Sequence, residues 1–267
     1  MKNKFDYAKA SLSDFEKAMD EYGWLIYENV ISDDLIEEIV GDVGLAYESR
    51  RKIQLKNGIG GPTEGVLHHL VEKDNFSFNF LEQKYFDQEI KHFLKGNYII
   101  NGFSVIINAK TASTYVQNIH RDIRTYSGEF KIVIQGIFLL DDFTADNGAT
   151  VFLSGSHKIK EKPTEEFFHQ NAVKAIAKKG SVILFDANVY HAGGINQTDQ
   201  VRRILTYCIS KPFFKQQFDI PRYLGYGYGE TLSSHLRQVL GYNSRTSENL
   251  EEFYQPPHLR MYQPDQE

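Results

Sequence analysis

Cysteine is almost absent from this chain of 267 residues, where Cys208 stands alone. A single thiol forms no internal disulfide, so the expected compartment is a reducing one, the cytoplasm. Its setting, "ILTYCIS", reads as a buried strand position rather than a nucleophile. Long apolar runs are missing too. None approaches the roughly 20 residues that cross a bilayer, and the opening "MKNKFDYAKASLSDFEKAMDEYG" lacks the apolar stretch of a secretory signal. Positive charge is in deficit: 30 Lys and Arg against 35 Asp and Glu leave a net charge of -5. That argues against a nucleic-acid partner. The glycine-rich segment "KNGIGGPTEG" (56–65) lacks the lysine and the serine or threonine of a phosphate-binding loop, and reads as a mobile loop. Internal repeats and low-complexity segments do not stand out. The expected partner is a small-molecule substrate, with no nucleic acid and no membrane, and the expected state is monomer or homodimer.

Aromatic residues, by contrast, are plentiful, with 16 Tyr, 19 Phe and Trp24. A large core accounts for most of them, and a pocket for an organic molecule for some of the rest. The first 98 residues read mainly as helix. Ser13 caps "DFEKAMDEYG", which stops at Gly23, and "WLIYENV" follows as a strand. Ser32 or Asp33 opens "DDLIEEIVGDVGLAYESR", where Leu35, Ile36, Ile39, Val43 and Ala46 fall near helical spacing. "FDQEIKHFLKG" is a further helix ending at Gly96.

From residue 99 the texture changes to β-branched and aromatic runs bounded by Gly, Asn and Asp: "YIINGFSVIINA", "STYVQNIH", "KIVIQGIFLLDD", "ATVFLSG", "SVILFDA" and "RRILTYCIS". Such short strands predict a β sandwich or barrel rather than alternating βαβ units. One helical insert, "TEEFFHQNAVKAIA", interrupts them. Loop and helix return after 212, including "LSSHLRQVLGY". The organisation expected is one domain over 1–267: a mainly helical part to 98, a β core over 99–212, and a C-terminal helix and tail over 213–267. The end of the tail, with Phe253, Tyr254 and Tyr262, reads as docked rather than disordered.

Within "QNIHRDIRTYSG" (117–128), His120 and Asp122 stand two apart. With 9 histidines in the chain, chance supplies such a pair easily, and alone it reads as two hydrogen-bonded surface neighbours. On an extended strand, however, residues two apart share one face. A mononuclear iron(II) site needs two imidazoles and one carboxylate with positions left open. The best third member is His191 in "YHAGGINQTDQVRR", at the rim after the strand "SVILF". Arg202 follows eleven residues later, at the head of "RRILTYCIS". One aspartate against iron(II) leaves +1, which suits a dianionic keto acid that chelates through its ketone and one carboxylate. The far carboxylate then needs a cation, and Arg202 supplies a two-pronged one. Arg203 is the adjacent competitor, and strand alternation sends one of the two inward.

Three stretches together resemble the phytanoyl-CoA dioxygenase-like (PhyH) family of iron(II)- and 2-oxoglutarate-dependent oxygenases. "QNIHRD" is similar to its Gln-x-x-His-x-Asp segment. "LLDDFTADNGATVFLSGSHK" is similar to its Asp-Phe-Thr, Asn-Gly-Ala and Pro-Gly-Ser-His segment, and "YHAGGINQTDQVRR" to its His-x-x-Gly-x-Asn segment ending in Arg. The resemblance implies that His120, Asp122 and His191 are the metal ligands and catalytic centre, and that Arg202 holds the far carboxylate of 2-oxoglutarate. It places Gln117 and Thr125 on the co-substrate side and Tyr126 near the substrate. It implies a double-stranded β-helix (a jelly-roll of the cupin kind) with flanking helices, and it implies iron(II), 2-oxoglutarate and O2 as cofactor and co-substrates.

The activity so implied is hydroxylation of an unactivated C–H of a small organic molecule, with release of succinate and CO2. Desaturation, epimerisation or cyclisation by the same iron chemistry is the alternative, and a non-catalytic jelly-roll binding module is another. Two positions depart from or refine the pattern. Ser154 stands where many relatives have proline, which loosens a turn without touching chemistry. Asp122 is kept where halogenating relatives carry a small residue, which favours hydroxylation. Of the remaining polar residues, His68 and His69 are candidates for the entrance and the substrate. His157 reads as a turn and packing residue, Asn147 and Gly148 as a turn, and Asn196 as the brace of the loop after His191.

Overall fold

The computed structural model describes residues 2–61, 63–110 and 115–266. The chain opens with strand β1 (Lys4–Asp6), helix α1 (Leu12–Glu21), strand β2 (Trp24–Glu28) and helix α2 (Asp33–Lys56). α1 begins earlier than its sequence suggests. Its cap is Ser11 rather than Ser13: the Asp14 N–H donates to Ser11 Oγ (3.2 Å) and Ser11 N–H donates to Asp14 Oδ2 (3.0 Å), a closed capping box. Ser32 caps α2, which buries Ile36, Ile39 and Val43 and then continues one and a half turns past Arg50 to Lys56. β3 (Val66–Leu67) is followed by α3 (Phe76–Glu82), absent from the sequence-based expectation, and by α4 (Asp87–Leu94).

The strands that follow are β4 (Ile99–Asn108), β5 (Val133–Leu139) and β6 (Val151–Phe152). Next come α5 (Glu165–Asn171), β7 (Val173–Lys174), β8 (Val182–Asp186), β9 (His191–Ala192) and β10 (Arg202–Ser210). α6 (Ile220–Leu224), α7 (Ser234–Val239) and α8 (Leu250–Phe253) complete the described elements. Seven strands form one sheet in the order β1-β2-β8-β5-β10-β4-β3, and three form another in the order β7-β6-β9. The architecture is therefore dominated by sheet and flanked by helices. Among the described residues, no helix is long and apolar enough to cross a membrane.

Two expectations fail locally. "STYVQNIH" is not a strand over its described part, since Ser113 and Thr114 lie outside the described residues. Tyr115–Gln117 tightens into a 3-10 turn, and His120 meets His191 in a lone antiparallel bridge. The partner strand explains this: β9 is only two residues long, and Gly193, just beyond it, donates its N–H to Val116 O (2.8 Å). The insert "TEEFFHQNAVKAIA" is helical only to Asn171. Ala172 turns extended, and β-branched Val173 pairs with Phe152 on the sheet edge.

By its contacts the chain forms two units, Met1–His68 with Ser104–Lys131 and Gln135–Tyr207, and His69–Phe103 with Ile132–Ile134 and Cys208–Glu267. The first unit holds a core of Trp24, Ile26, Leu139, Phe143, Phe152, Phe185, Val189 and Ile204, among others. It carries every residue of the cluster described below. In the second unit Phe76 and Phe80 pack on Phe103 at 5.8 and 5.5 Å between ring centroids. The tail docks within this second unit through polar groups. Ser244 bridges Tyr262, Asn97 donates to Asp265 O (2.6 Å), and buried Gln266 meets Gln238. Of the aromatics that suggested docking, Tyr262 takes part through its backbone bridge, while Phe253 and Tyr254 are 62% and 77% exposed.

Candidate active site

The lone bridge between His120 and His191 is what assembles the site. Each donates its N–H to the other's carbonyl, at 3.0 and 2.9 Å, which brings the two imidazoles to 4.3 Å between ring centroids. Asp122 lies between them, with Oδ1 3.3 Å from His120 Nε2 and Oδ2 3.6 Å from His191 Nε2. One ligand atom from each of the three falls within 4.8 Å of the others.

Both imidazoles are oriented by backbone. His120 Nδ1 contacts Asn118 O at 2.7 Å, and His191 Nδ1 contacts Val189 O at 3.1 Å. A carbonyl only accepts, so Nδ1 carries a proton in each ring and Nε2 of each ring faces the Asp122 carboxylate. In a neutral ring with its proton on Nδ1, the Nε2 lone pair is available to a metal on the Asp122 side. Two imidazole nitrogens and one carboxylate are the donor set of an open iron(II) site, so these residues fit the metal their motif implies.

The electrostatics agree. Burial, the largest influence on His191, holds its pKa down to about 4 despite the nearby Asp122, so the ring is neutral at pH 7 with Nε2 free. Burial also opposes charge on His120, but the hydrogen bond and charge of Asp122 outweigh it and raise the pKa. Asp122 itself is pushed upward by burial and brought below the usual carboxylate range by His191, His120 and a hydrogen bond from Gln135 on β5. Gln135 was not singled out from sequence. The signal that marks it is a lone amide inside the apolar run "KIVIQGIFLL".

Behind His191 stands a column of rings. Phe152 stacks on it at 5.6 Å, Phe185 meets it edge-on at 4.9 Å, and Trp24 stacks on Phe152 at 4.7 Å. Trp24 Nε1–H donates to Ser154 Oγ at 2.9 Å. Ser154, where a proline was the expectation, therefore anchors the column. Ser154→Ala is expected to leave a buried indole N–H without its acceptor and to lower unfolding stability by about 1–3 kcal/mol, read from urea denaturation.

Arg202 enters at the head of β10 and is 3% exposed, packed over the Phe143 ring at 4.7 Å. Its Nη2 donates to Gly148 O (2.6 Å), while Nε and Nη1 have no partner among the described residues. Burial lowers its pKa to about 10, so it stays charged at pH 7. A buried cation with two idle donors fits the carboxylate of a keto acid. Arg203 points outward and is already occupied, gripping both oxygens of Asp141 at 2.8 and 3.0 Å. The Gly148 carbonyl is fixed by a crowded turn. Gly148 has φ +83°, and a Cβ there would lie 2.5 Å from Asn108 Nδ2 and 2.7 Å from Gly194 O. Asn147 and Asn196 pair across this turn, and Asn196 braces Asn108 O and Gln200 O at 2.9 and 2.8 Å.

The other residues named from sequence lie as follows. His68 Nε2 meets Tyr115 Oη at 3.2 Å. Burial and the charge of Asp122 raise the Tyr115 pKa, so this pair lies within electrostatic reach of the cluster. His69 instead stacks on Phe218 at 4.6 Å in the second unit. Gln117 is half-buried on the 3-10 turn beside the His120 segment, and Thr125 is exposed. Tyr126 donates to Lys158 O (3.1 Å) and lies under Arg121. His157 is buried, contacting Asp20 O at 3.2 Å in a 3-10 turn.

Two histidines, one carboxylate and a buried unpaired arginine on a sheet-dominated fold define a candidate oxygenase. The family model described as phytanoyl-CoA dioxygenase (PhyH) matches residues 19–204, and the chain belongs to that family. It is thereby an oxygenase of the iron(II)- and 2-oxoglutarate-dependent class. It is 31% identical over 211 residues to the uncharacterized protein Rv1501 of Mycobacterium tuberculosis, covering 76% of each chain. It is 25% identical over 206 residues to dioxygenase cdmA of Talaromyces verruculosus, covering 71% of this chain and 67% of that one. Among solved structures, HygX from Streptomyces hygroscopicus, with nickel and 2-oxoglutarate bound, superposes with a TM-score of 0.61 at 12% identity over 79% of this chain and 92% of HygX. AviO1 from Streptomyces viridochromogenes Tue57 superposes with a TM-score of 0.55 at 18% identity, over 77% and 98%. At these identities the likeness is one of fold.

Proposed function

We propose that the protein hydroxylates an unactivated C–H bond of a small organic molecule. In the balanced reaction, substrate, 2-oxoglutarate and O2 give hydroxylated substrate, succinate and CO2. His120, Asp122 and His191 are the metal ligands in this reading, on a double-stranded β-helix within a single oxygenase domain. The observation that carries it is the facing of two Nε2 atoms onto one carboxylate, in the same unit as a buried arginine with two donors that have no partner among the described residues. The bound keto acid in HygX supports the same co-substrate here.

Iron(II) with 2-oxoglutarate would supply oxygen activation coupled to decarboxylation. The chain's own residues do the rest. Asp122 and the two histidines neutralise and orient the metal, and Arg202 aligns the keto acid through its far carboxylate. Gln117 and Thr125 serve the co-substrate side. His68 with Tyr115 forms the polar part of the substrate wall, and Tyr126, its hydroxyl given to Lys158 O beneath Arg121, supports the cluster from behind. The ring column behind His191 excludes water. The test is succinate release under iron(II), ascorbate and a panel of candidate small molecules. Substrate-stimulated succinate with a product heavier by one oxygen supports hydroxylation. A product lighter by two hydrogens assigns desaturation instead, and no stimulation by any compound assigns a binding module.

A further inference from the structure

The residue between the two ligands of "HRD" has no part in the chemistry described so far. Arg121 points away from the face that His120 and Asp122 share. Its guanidinium carbon lies 4.0 Å from the centroid of Tyr190 and 5.2 Å from that of Tyr126. Nη2 donates to Ile159 O at 2.6 Å, Nη1 to Lys160 O at 3.4 Å, and Nε is buried without a partner among the described residues. The nearer ring, Tyr190, belongs to the residue immediately before His191. Tyr190 is itself held at both backbone groups, its N–H donating to Ser156 Oγ (2.8 Å) and its carbonyl accepting from Leu153 N–H (2.9 Å). Tyr126 Oη donates to Lys158 O (3.1 Å) and closes the frame on the other side.

Seen from behind, then, one planar cation joins the chain on both sides of the cluster, and the 158–160 turn keys it in place. In front, the two segments meet through the His120–His191 backbone bridge, with Gly193 N–H donating to Val116 O (2.8 Å) on one side and Ile123 N–H to Ala187 O (3.2 Å) on the other. These backbone contacts hold the two segments side by side, while the tilt of each segment, and with it the angle between the two imidazoles, is also set by what packs behind them. We propose that Arg121 is a positioning residue that locks this angle from behind and so sets the affinity of the cluster for its metal. The proposal rests on the reading of His120, Asp122 and His191 as ligands.

The test uses the full chain and cobalt(II), an oxygen-stable probe, titrated calorimetrically at a temperature where every variant is fully folded. Arg121→Gln removes both the charge and the planar fork and is expected to weaken cobalt(II) binding about tenfold or more, in the range of lost ligand supports. Arg121→Lys keeps a cation over Tyr190 without the two-donor plane, and its affinity is expected to fall between the two. Should Arg121→Gln not fold, Arg121→Lys carries the test. Ser11→Ala, which strips the cap from the distant α1, is the control: its melting temperature drops while cobalt(II) affinity stays. His191→Ala should lose binding outright. Wild-type affinity in both Arg121 variants, with His191→Ala inactive for cobalt(II), overturns the positioning role and leaves the site standing. Undiminished binding by His191→Ala overturns the site and the proposal with it.

Discussion

Asp122→Ala is expected to bring 2-oxoglutarate turnover down by about a thousand-fold or more, with the fold intact. The carboxylate is the only anion among the three ligand candidates, so its removal takes both a donor and the charge that balances a divalent metal. Losing about 4 kcal/mol of metal and transition-state stabilisation corresponds to that thousand-fold. The side chain is 24% exposed, and its contacts are to His120, His191 and Gln135 rather than to the core. The melting temperature of the metal-free variant should therefore stay near wild type while iron(II) affinity, measured anaerobically, collapses. Asp122→Asn separates shape from charge: it fills the same volume beside Gln135 yet should bind metal as poorly as alanine does. Full activity in Asp122→Ala would remove these residues from the reaction.

Much of the strand pattern was legible because β-branched runs such as "KIVIQGIFLL" and "SVILF" carry it locally. The failures share a cause. Ser11 and Ser13 offer near-equal caps, and only the reciprocal bond with Asp14 selects the first. "STYVQNIH" has strand composition, but a strand needs a ladder, and two-residue β9 provides one rung. Val173 reads as helix from its neighbours and becomes strand because Phe152 waits at a sheet edge. In each case a partner distant in sequence overrides a local preference.

At the site, the clustering of His120, Asp122 and His191 was legible because an iron(II) site calls for those residue types and the motif carries their spacing. What supports them was not. Gln135 reaches Asp122 from β5, Tyr115 meets His68 47 positions away, and Arg121 covers Tyr190 across 69 positions. None of these pairs has a spacing rule, since each depends on where loops close. Ser154 shows the same limit from the other side: compared with proline it is a departure, and only the structure reveals Trp24 as its partner.

Arg202→Met should separate co-substrate binding from stability in opposite directions. The guanidinium is buried, still charged near neutral pH with its pKa lowered only to about 10, and two of its donors have no acceptor among the described residues. Without a keto acid this is an uncompensated charge, and an apolar side chain of similar length over Phe143 should leave the metal-free protein as stable or about 1–2 kcal/mol more so. With a keto acid the balance reverses. A paired, charge-assisted contact worth about 3 kcal/mol is lost, and KM for 2-oxoglutarate should rise about a hundred-fold, with kcat changed far less. Arg203→Met is the matched control, because its partner Asp141 lies at a part-exposed position where such pairs contribute at most about 1 kcal/mol. It should lower stability slightly and leave KM alone. Were Arg203→Met to raise KM and Arg202→Met to leave it unchanged, the inward side of β10 would be misassigned.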